Sequence, residues 1–216
     1  MTGLMMKDAL VMRKTLRLYA LFLLFYSGLA VLGVFPMSMA LAMVEVIVMV
    51  LPISSFSYDE AAKWDRYAAV LPVGRTAVVK ARYLFLLLVL LAAAAIGLVG
   101  STLASLLARE DLGELLATLL VSMGLGLMIA DIMLPVVYQL GPERARPWMY
   151  VIIFAPIVVL LGGAKLGLFD GIDLSWLDQL PELAVLGVFA LVPLVPLVGM
   201  LLSCWISCRI YARKEF

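Results

Sequence analysis

Six apolar runs, each about as long as a bilayer is thick, constrain this chain more than any other feature. A hydrocarbon core of roughly 30 Å takes about 20 residues of helix. Runs of that order occupy residues 18–34, 39–56, 83–107, 115–138, 149–168 and 183–206. Pro36 parts the first two and leaves a very short hairpin, while charged or Pro/Gly-containing segments part the others. The composition agrees: 65% of the 216 residues are apolar and 14% charged, against roughly 45–50% and about 25% in a soluble domain. No soluble fold of this size hides that much apolar surface. The expected fold is an all-α membrane protein of six transmembrane helices in a single domain spanning 1–216.

The charges set the direction. With the N terminus in the cytoplasm, the inner segments hold Lys7, Arg13, Lys14 and Arg17, then Lys63, Arg66, Arg75, Lys80 and Arg82, then Arg144 and Arg146, and finally Arg209, Arg213 and Lys214. That is fourteen of the 16 basic residues, with only Arg109 and Lys165 left outside. The outer loops carry Glu110, Asp111, Glu114, Asp170, Asp173, Asp178 and Glu182. Such a bias places both termini in the cytoplasm and independently supports an even number of spans. Trp148 and Trp205 fall at inner helix ends and Trp176 in the last outer loop, as an interfacial aromatic belt requires. The polar, basic start followed by successive spans reads as an inserted membrane protein without a cleavable signal peptide.

Several chemistries are excluded. The chain has no histidine, which removes Ser-His catalysis and imidazole metal sites. Cys204 and Cys208 stand one helical turn apart, neither a CxxC redox pair nor a zinc pattern, and read as small apolar residues on one helix face. A net charge of +1 gives no field that would draw nucleic acid. No G-x-x-x-x-G-K-[ST] stretch is present to cradle phosphates.

Four local patterns remain. In residues 1–17, Met5, Ala9, Met12 and Leu16 recur at helical spacing with Lys7, Lys14 and Arg17 away from them; this reads as an amphipathic helix on the inner leaflet, or else a basic tail that only sets topology. Gly97, Ser101 and Ser105 make a four-residue small-residue repeat on the third span, allowing close approach of another helix, internal or from another subunit. Glu45 and Asp131 lie within spans two and four. A mid-membrane carboxylate costs about 2.5–3.5 kcal/mol on insertion scales and so faces protein or water. Either residue is a candidate for a substrate path or a structural carboxylate, and Pro135, one turn after Asp131, frees a backbone carbonyl there. Lys165 is placed to snorkel outward, and the outer loop of 170–182 reads as a surface anchor or a gate.

The longest inner loop, 57–82, reads SYDEAAKWDRYAAVLPVGRTAVVKAR. Ser57 and Glu60 have the S-x-x-E spacing that starts a helix. Trp64, Tyr67, Ala68 and Leu71 then recur at i, i+3, i+4 and i+7, Pro72 ends the helix, and Thr76 is a cap for the next. This predicts a short helix parallel to the membrane, with an aromatic face and a face of Asp59, Lys63 and Arg66. It serves either as an interfacial anchor or as a docking knob, since aromatic and Arg residues favour protein interfaces.

With Tyr83 added, this segment resembles the first cytoplasmic loop of the small six-span permeases of the ABC type 2 superfamily, roughly YDE…WDRY…LPVSR…V..KY. The matching positions are Tyr58, Asp59, Glu60, Trp64, Asp65, Arg66, Tyr67, Leu71, Pro72, Arg75, Lys80 and Tyr83. The stretch LPVVYQLGPERARPW, 134–148, is similar to the family's LP..YKFG.EKAR, with Gly141, Glu143, Arg144 and Arg146 as its second-loop residues. The chain departs at Gly74, where the family has Ser. The resemblance, which extends to the membrane subunits of bacterial peptide (phenol-soluble modulin-like) exporters, implies a division of labour. This chain would bind no cofactor. ATP and magnesium would sit on a separate cytoplasmic ABC ATPase, docked on the coupling helix of the first loop. A second permease chain, identical or paralogous, would complete the transporter in a bacterial inner membrane. The alternatives are an ion-coupled transporter using Glu45 and Asp131, a non-transporting scaffold, and a membrane enzyme. The last would need polar groups clustered at one depth, where only these two isolated acids occur.

Overall fold

The computed structural model describes residues 2–64, 67–68, 74–167 and 182–213. These residues form seven helices: α1 Thr2–Val11, α2 Arg13–Val31, α3 Met37–Ala61, α4 Arg75–Leu107, α5 Leu112–Leu140, α6 Pro142–Lys165 and α7 Glu182–Ala212. Six of them, α2 to α7, are long and apolar enough to cross a membrane. At the end where the basic residues lie each helix outruns its apolar run, by two to eight residues, because a helix propagates through flanking polar residues once its apolar centre is packed, while α2 and α6 stop three residues short at the other end. At 33 residues, α4 is about 50 Å long and extends well past the hydrocarbon core.

Contacts sort the connections to two ends of the bundle. At one end Thr15 meets Tyr58, Lys7 meets Asp59, Arg75 reaches the carbonyl of Ala212, and Tyr138 meets Tyr211 edge to face. This is the basic end. At the other end the α2–α3 turn meets the α4–α5 turn, where the backbone N–H of Met37 donates to both carboxylate oxygens of Glu110 at 3.3 Å. Asp111 caps α5 by accepting from the N–H groups of Gly113 and Glu114 at 3.3 and 3.1 Å. Two of the acids that set the topology thus also cap helix N-termini, where negative charge meets unsatisfied N–H groups; spacing alone had not marked them for this.

The core centres on α5, which packs between α3 and α7. Glycine makes both contacts possible. A Cβ on Gly124 would lie 3.0 Å from the carbonyl carbon and oxygen of Val192, and one on Gly126 would lie 3.2 Å from the Glu45 Cα. The small-residue repeat on α4 has an internal partner: a Cβ on Gly97 would meet Leu119 of α5 at 3.0 Å and Leu41 of α3 at 3.2 Å. Gly97 and Ser101 are buried, and the Ser101 hydroxyl donates back to the Gly97 carbonyl at 2.9 Å. By contrast the described side chains of α6 pack mainly through its N-terminal half, where Ala145 is buried with Ile53, Met133 and Val137, and Met149 and Ile152 lie against them. Beyond them Phe154, Val158, Val159 and Leu161 are exposed.

Three expectations are corrected. No helix starts at Ser57: α3 runs on to Ala61, and the Ser57 hydroxyl donates to the Ile53 carbonyl at 2.9 Å, one turn back in the same helix. The chain leaves α3 through Lys63, in the left-handed region at φ 51°. Thr76 does not cap α4; the helix starts from Gly74 at φ 75°, with no side-chain cap. Glycine at this departure from the family pattern thus supplies a backbone conformation that Ser adopts only with strain. On the N-terminal stripe Met12 is buried and Met5 and Leu16 are half-buried as expected, but Ala9 is exposed and Asp8 is buried in its place. α1 packs against α4, and it joins α2 through a single break at Met12. Of the outer loop, only the backbone of Glu182 falls among the described residues.

Candidate functional site at the basic end

Four charged side chains from three helices meet beneath the α3–α4 connection. Lys7 Nζ lies 2.8 Å from both Asp8 Oδ1 and Asp59 Oδ1. Arg82 Nε lies 3.2 Å from Asp8 Oδ2, an ion pair without hydrogen-bond alignment. The guanidinium also pairs with Asp59 Oδ2, donates to the Ser55 hydroxyl, and stacks over the Phe56 ring at 4.8 Å. Phe56 in turn meets Tyr138 edge to face at 4.6 Å. Ser55 and Asp59 reach one guanidinium because they are four apart on α3. Two positive and two negative charges make the cluster neutral, and Asp8, Asp59 and Arg82 are buried. Buried charges persist only when paired in this way.

The cluster ties the N-terminal helix to the segment that follows α3. Lys7 Nζ also sits 4.2 Å from the centre of the Trp64 ring. On the same side of the bundle, the Thr15 and Tyr58 hydroxyls lie 2.8 Å apart and those of Tyr19 and Ser54 3.3 Å. Asp59 and Trp64 are thus linked to α1 and α4 through ion pairs and a cation–π contact, as well as along α3.

The expected docking residues divide accordingly. Tyr58, Glu60 and Tyr67 are exposed, which suits a surface for a partner. Asp59 is not on that surface, a correction to its expected place on a solvated face: Arg82 and Lys7 draw it inward. Trp64 is partly buried against α1, and its indole N–H has no acceptor among the described residues. Arg75 is part-exposed and donates to the Ala212 carbonyl at 2.9 Å. Asp65, Arg66, Leu71 and Pro72 lie outside the described residues. The second segment is a corner rather than a loop: Gly141, at φ 82°, alone joins α5 to α6, and Glu143, Arg144 and Arg146 are exposed on the first turns of α6. Asp8 and Arg82, central to the cluster, were not among the expected site residues. The signal for Asp8 was a lone acid one turn before Met12, inside the stripe that α1 buries.

Deeper in the bundle, Glu45 and Asp131 do not form a joint site. Glu45 packs its Cα on α5 at Gly126, while the Asp131 carboxylate faces Gly199 of α7; positions 126 and 131 are about 140° apart around a helix. Asp131 belongs to a seam joining α4, α5 and α7. Pro135 has no N–H to offer the Asp131 carbonyl, and the Ser203 hydroxyl donates to that carbonyl instead, at 2.5 Å. With its proton so committed, Ser203 accepts from the Tyr83 hydroxyl at 2.6 Å, and Ser207 donates to Tyr83 at 2.8 Å.

The family model described as ABC-2 family transporter protein matches residues 3–212. Neither the comparison with curated proteins nor that with solved structures finds a match. The match covers both motif segments, the charge cluster and all six candidate spans, and the chain is a membrane component belonging to the ABC-2 family of transporter proteins.

Proposed function

We propose that this chain is the permease subunit of an ABC exporter, moving an amphipathic or hydrophobic cargo, a peptide in the first instance, across a bacterial inner membrane. A separate ATPase subunit supplies the energy and carries ATP and magnesium. The observation that carries the reading is the division at the basic end. The ion cluster below is neutral and interlocked, while Tyr58, Glu60, Tyr67, Glu143, Arg144 and Arg146 are left exposed above it. A rigid base under an exposed aromatic surface is what a coupling element needs: it holds a partner and passes on displacement. The positive-inside bias favours the cytoplasm for this end, the side on which ATP is available. ATP-driven pairing of two ATPases would then shift the spans by binding one arrangement better than another. The sparsely packed α6, apolar and exposed along its outer half, supports a second permease chain alongside.

The test is co-purification from mild detergent. Wild-type chain is expected to retain an ABC ATPase, and Arg66→Ala with Tyr67→Ala to lose it, since truncating aromatic and Arg anchors costs about 2 kcal/mol or more each at an interface. An unchanged melting temperature in the variant shows that the bundle is intact. Wild-type chain that is folded yet retains no ATPase, or a variant that retains as much as wild type, rejects the reading.

A further inference from the structure

We propose that the groove between α5 and α7 is a binding site for a hydrophobic organic cation, with Asp131 as its counter-ion. The groove has a volume of about 460 Å³ and is lined by apolar side chains apart from Asp131 and Ser203. Its rim residues Met128, Ile132, Val195 and Leu202 are exposed on the membrane-facing surface of the bundle. Asp131 is only 9% exposed, and neither carboxylate oxygen has a hydrogen-bond partner among the described residues. Its backbone carbonyl, by contrast, is fully served by Ser203. The geometry thus satisfies the main chain at this position and leaves the side chain open.

The missing partner has a definable chemistry. A buried carboxyl group without a partner takes up a proton, and it stays ionised only against a positive charge or donors. Among the described residues no cation pairs with Asp131, which lies nine residues, about 14 Å along the axis, from the end of α5. Of the basic residues on the spans, Arg82 reaches deepest, eight residues into α4, and it is already committed to Asp8 and Asp59. A small inorganic cation is also unsuited. Calcium takes six to eight oxygen ligands and magnesium needs octahedral coordination, whereas the groove provides one carboxylate and a hydroxyl already engaged. What fits is a molecule whose positive group pairs with Asp131 and whose apolar body fills the groove and leaves through its lipid-facing side. That this molecule is cargo rests on the transport reading above; that it binds does not.

The test is fluorescence polarisation with purified full-length permease in detergent, without ATPase, using rhodamine 6G as a hydrophobic monocation and Nile red as a neutral apolar control. Saturable rhodamine 6G binding is expected, weakened about tenfold or more in Asp131→Asn, as a charge pair in low dielectric predicts. Asp131→Glu should recover most of it, and Nile red should be indifferent to both changes. Val195→Trp, which narrows the rim without touching the acid, should weaken rhodamine 6G in proportion to the space it fills. Equal binding by wild type and Asp131→Asn, or no saturable binding by wild type, overturns the site, as does an identical loss of Nile red. If binding holds while no ATPase co-purifies, the transport reading fails and the site stands.

Discussion

Two groups of buried charge, one at the basic end and one inside the bundle, are handled in opposite ways. Asp8 and Asp59 share Arg82 and Lys7, so that each carboxylate has a cation within 3.2 Å or less. Asp131 has none among the described residues, and its two oxygens are without hydrogen bonds. The first arrangement holds helices together: it crosses from α1 to α3 to α4, and its energy depends on every member being present. The second contributes nothing of that kind, since an unpartnered carboxylate costs stability wherever it is buried. On the reading proposed above, the first group would transmit force and the second would be kept for a ligand.

This contrast can be broken experimentally. The largest effect is expected at Arg82. Arg82→Met leaves Asp8 and Asp59 buried with only Lys7 to share, and breaking a buried pair of this kind costs about 3–5 kcal/mol. The melting temperature in detergent should fall sharply, and protease should cut at the α1–α2 junction near Met12 well before the remaining spans are lost. A melting temperature near that of wild type would mean that the cluster carries no load.

A smaller loss is expected at Ser203. Ser203→Ala leaves the Asp131 carbonyl, already deprived of an N–H by Pro135, without its donor; the cost is about 1–3 kcal/mol. It should be read as a modest drop in melting temperature with the dimer or monomer profile unchanged. Least of all is expected of Asp131→Asn, which keeps shape and removes charge; stability should stay the same or rise slightly. A large destabilisation there would show that Asp131 is paired after all, and the contrast with the basic end would disappear.

How much of this was legible in the sequence follows from the range of the interactions. The six spans and the charge bias were readable because hydropathy and length act locally along the chain. The Gly97/Ser101 repeat was readable as a contact but not its partner, since Leu41 and Leu119 are distant in sequence. Ser57 and Glu60 have the spacing of a helix start, yet α3 continues through them: Asp59 is held inward by Arg82 and Lys7, and tertiary pairing outweighs a capping preference worth about 1 kcal/mol. The same long-range pairing removes Asp59 from the surface on which its neighbours Tyr58 and Glu60 remain. Pro135 announced a freed carbonyl, but that Ser203 would answer it, from 72 positions away, could only be seen in the folded chain. The glycines at 124 and 126 went unremarked for a related reason, because their meaning lies in the backbones of α7 and α3 that approach them.

The docking of an ATPase on the basic end is the claim on which the transport account depends, and site-directed cross-linking tests it most directly. In a chain with Cys204→Ser and Cys208→Ser, a single cysteine is placed at the exposed Tyr67 and, in a second chain, at Arg109 near the opposite end. A bifunctional thiol reagent is then applied to the complex in membranes. The account predicts a cross-link to an ABC ATPase from position 67, changing in yield with ATP, and none from position 109. A cross-link from position 109 and not from position 67, or none from either while the chain remains folded, would contradict it.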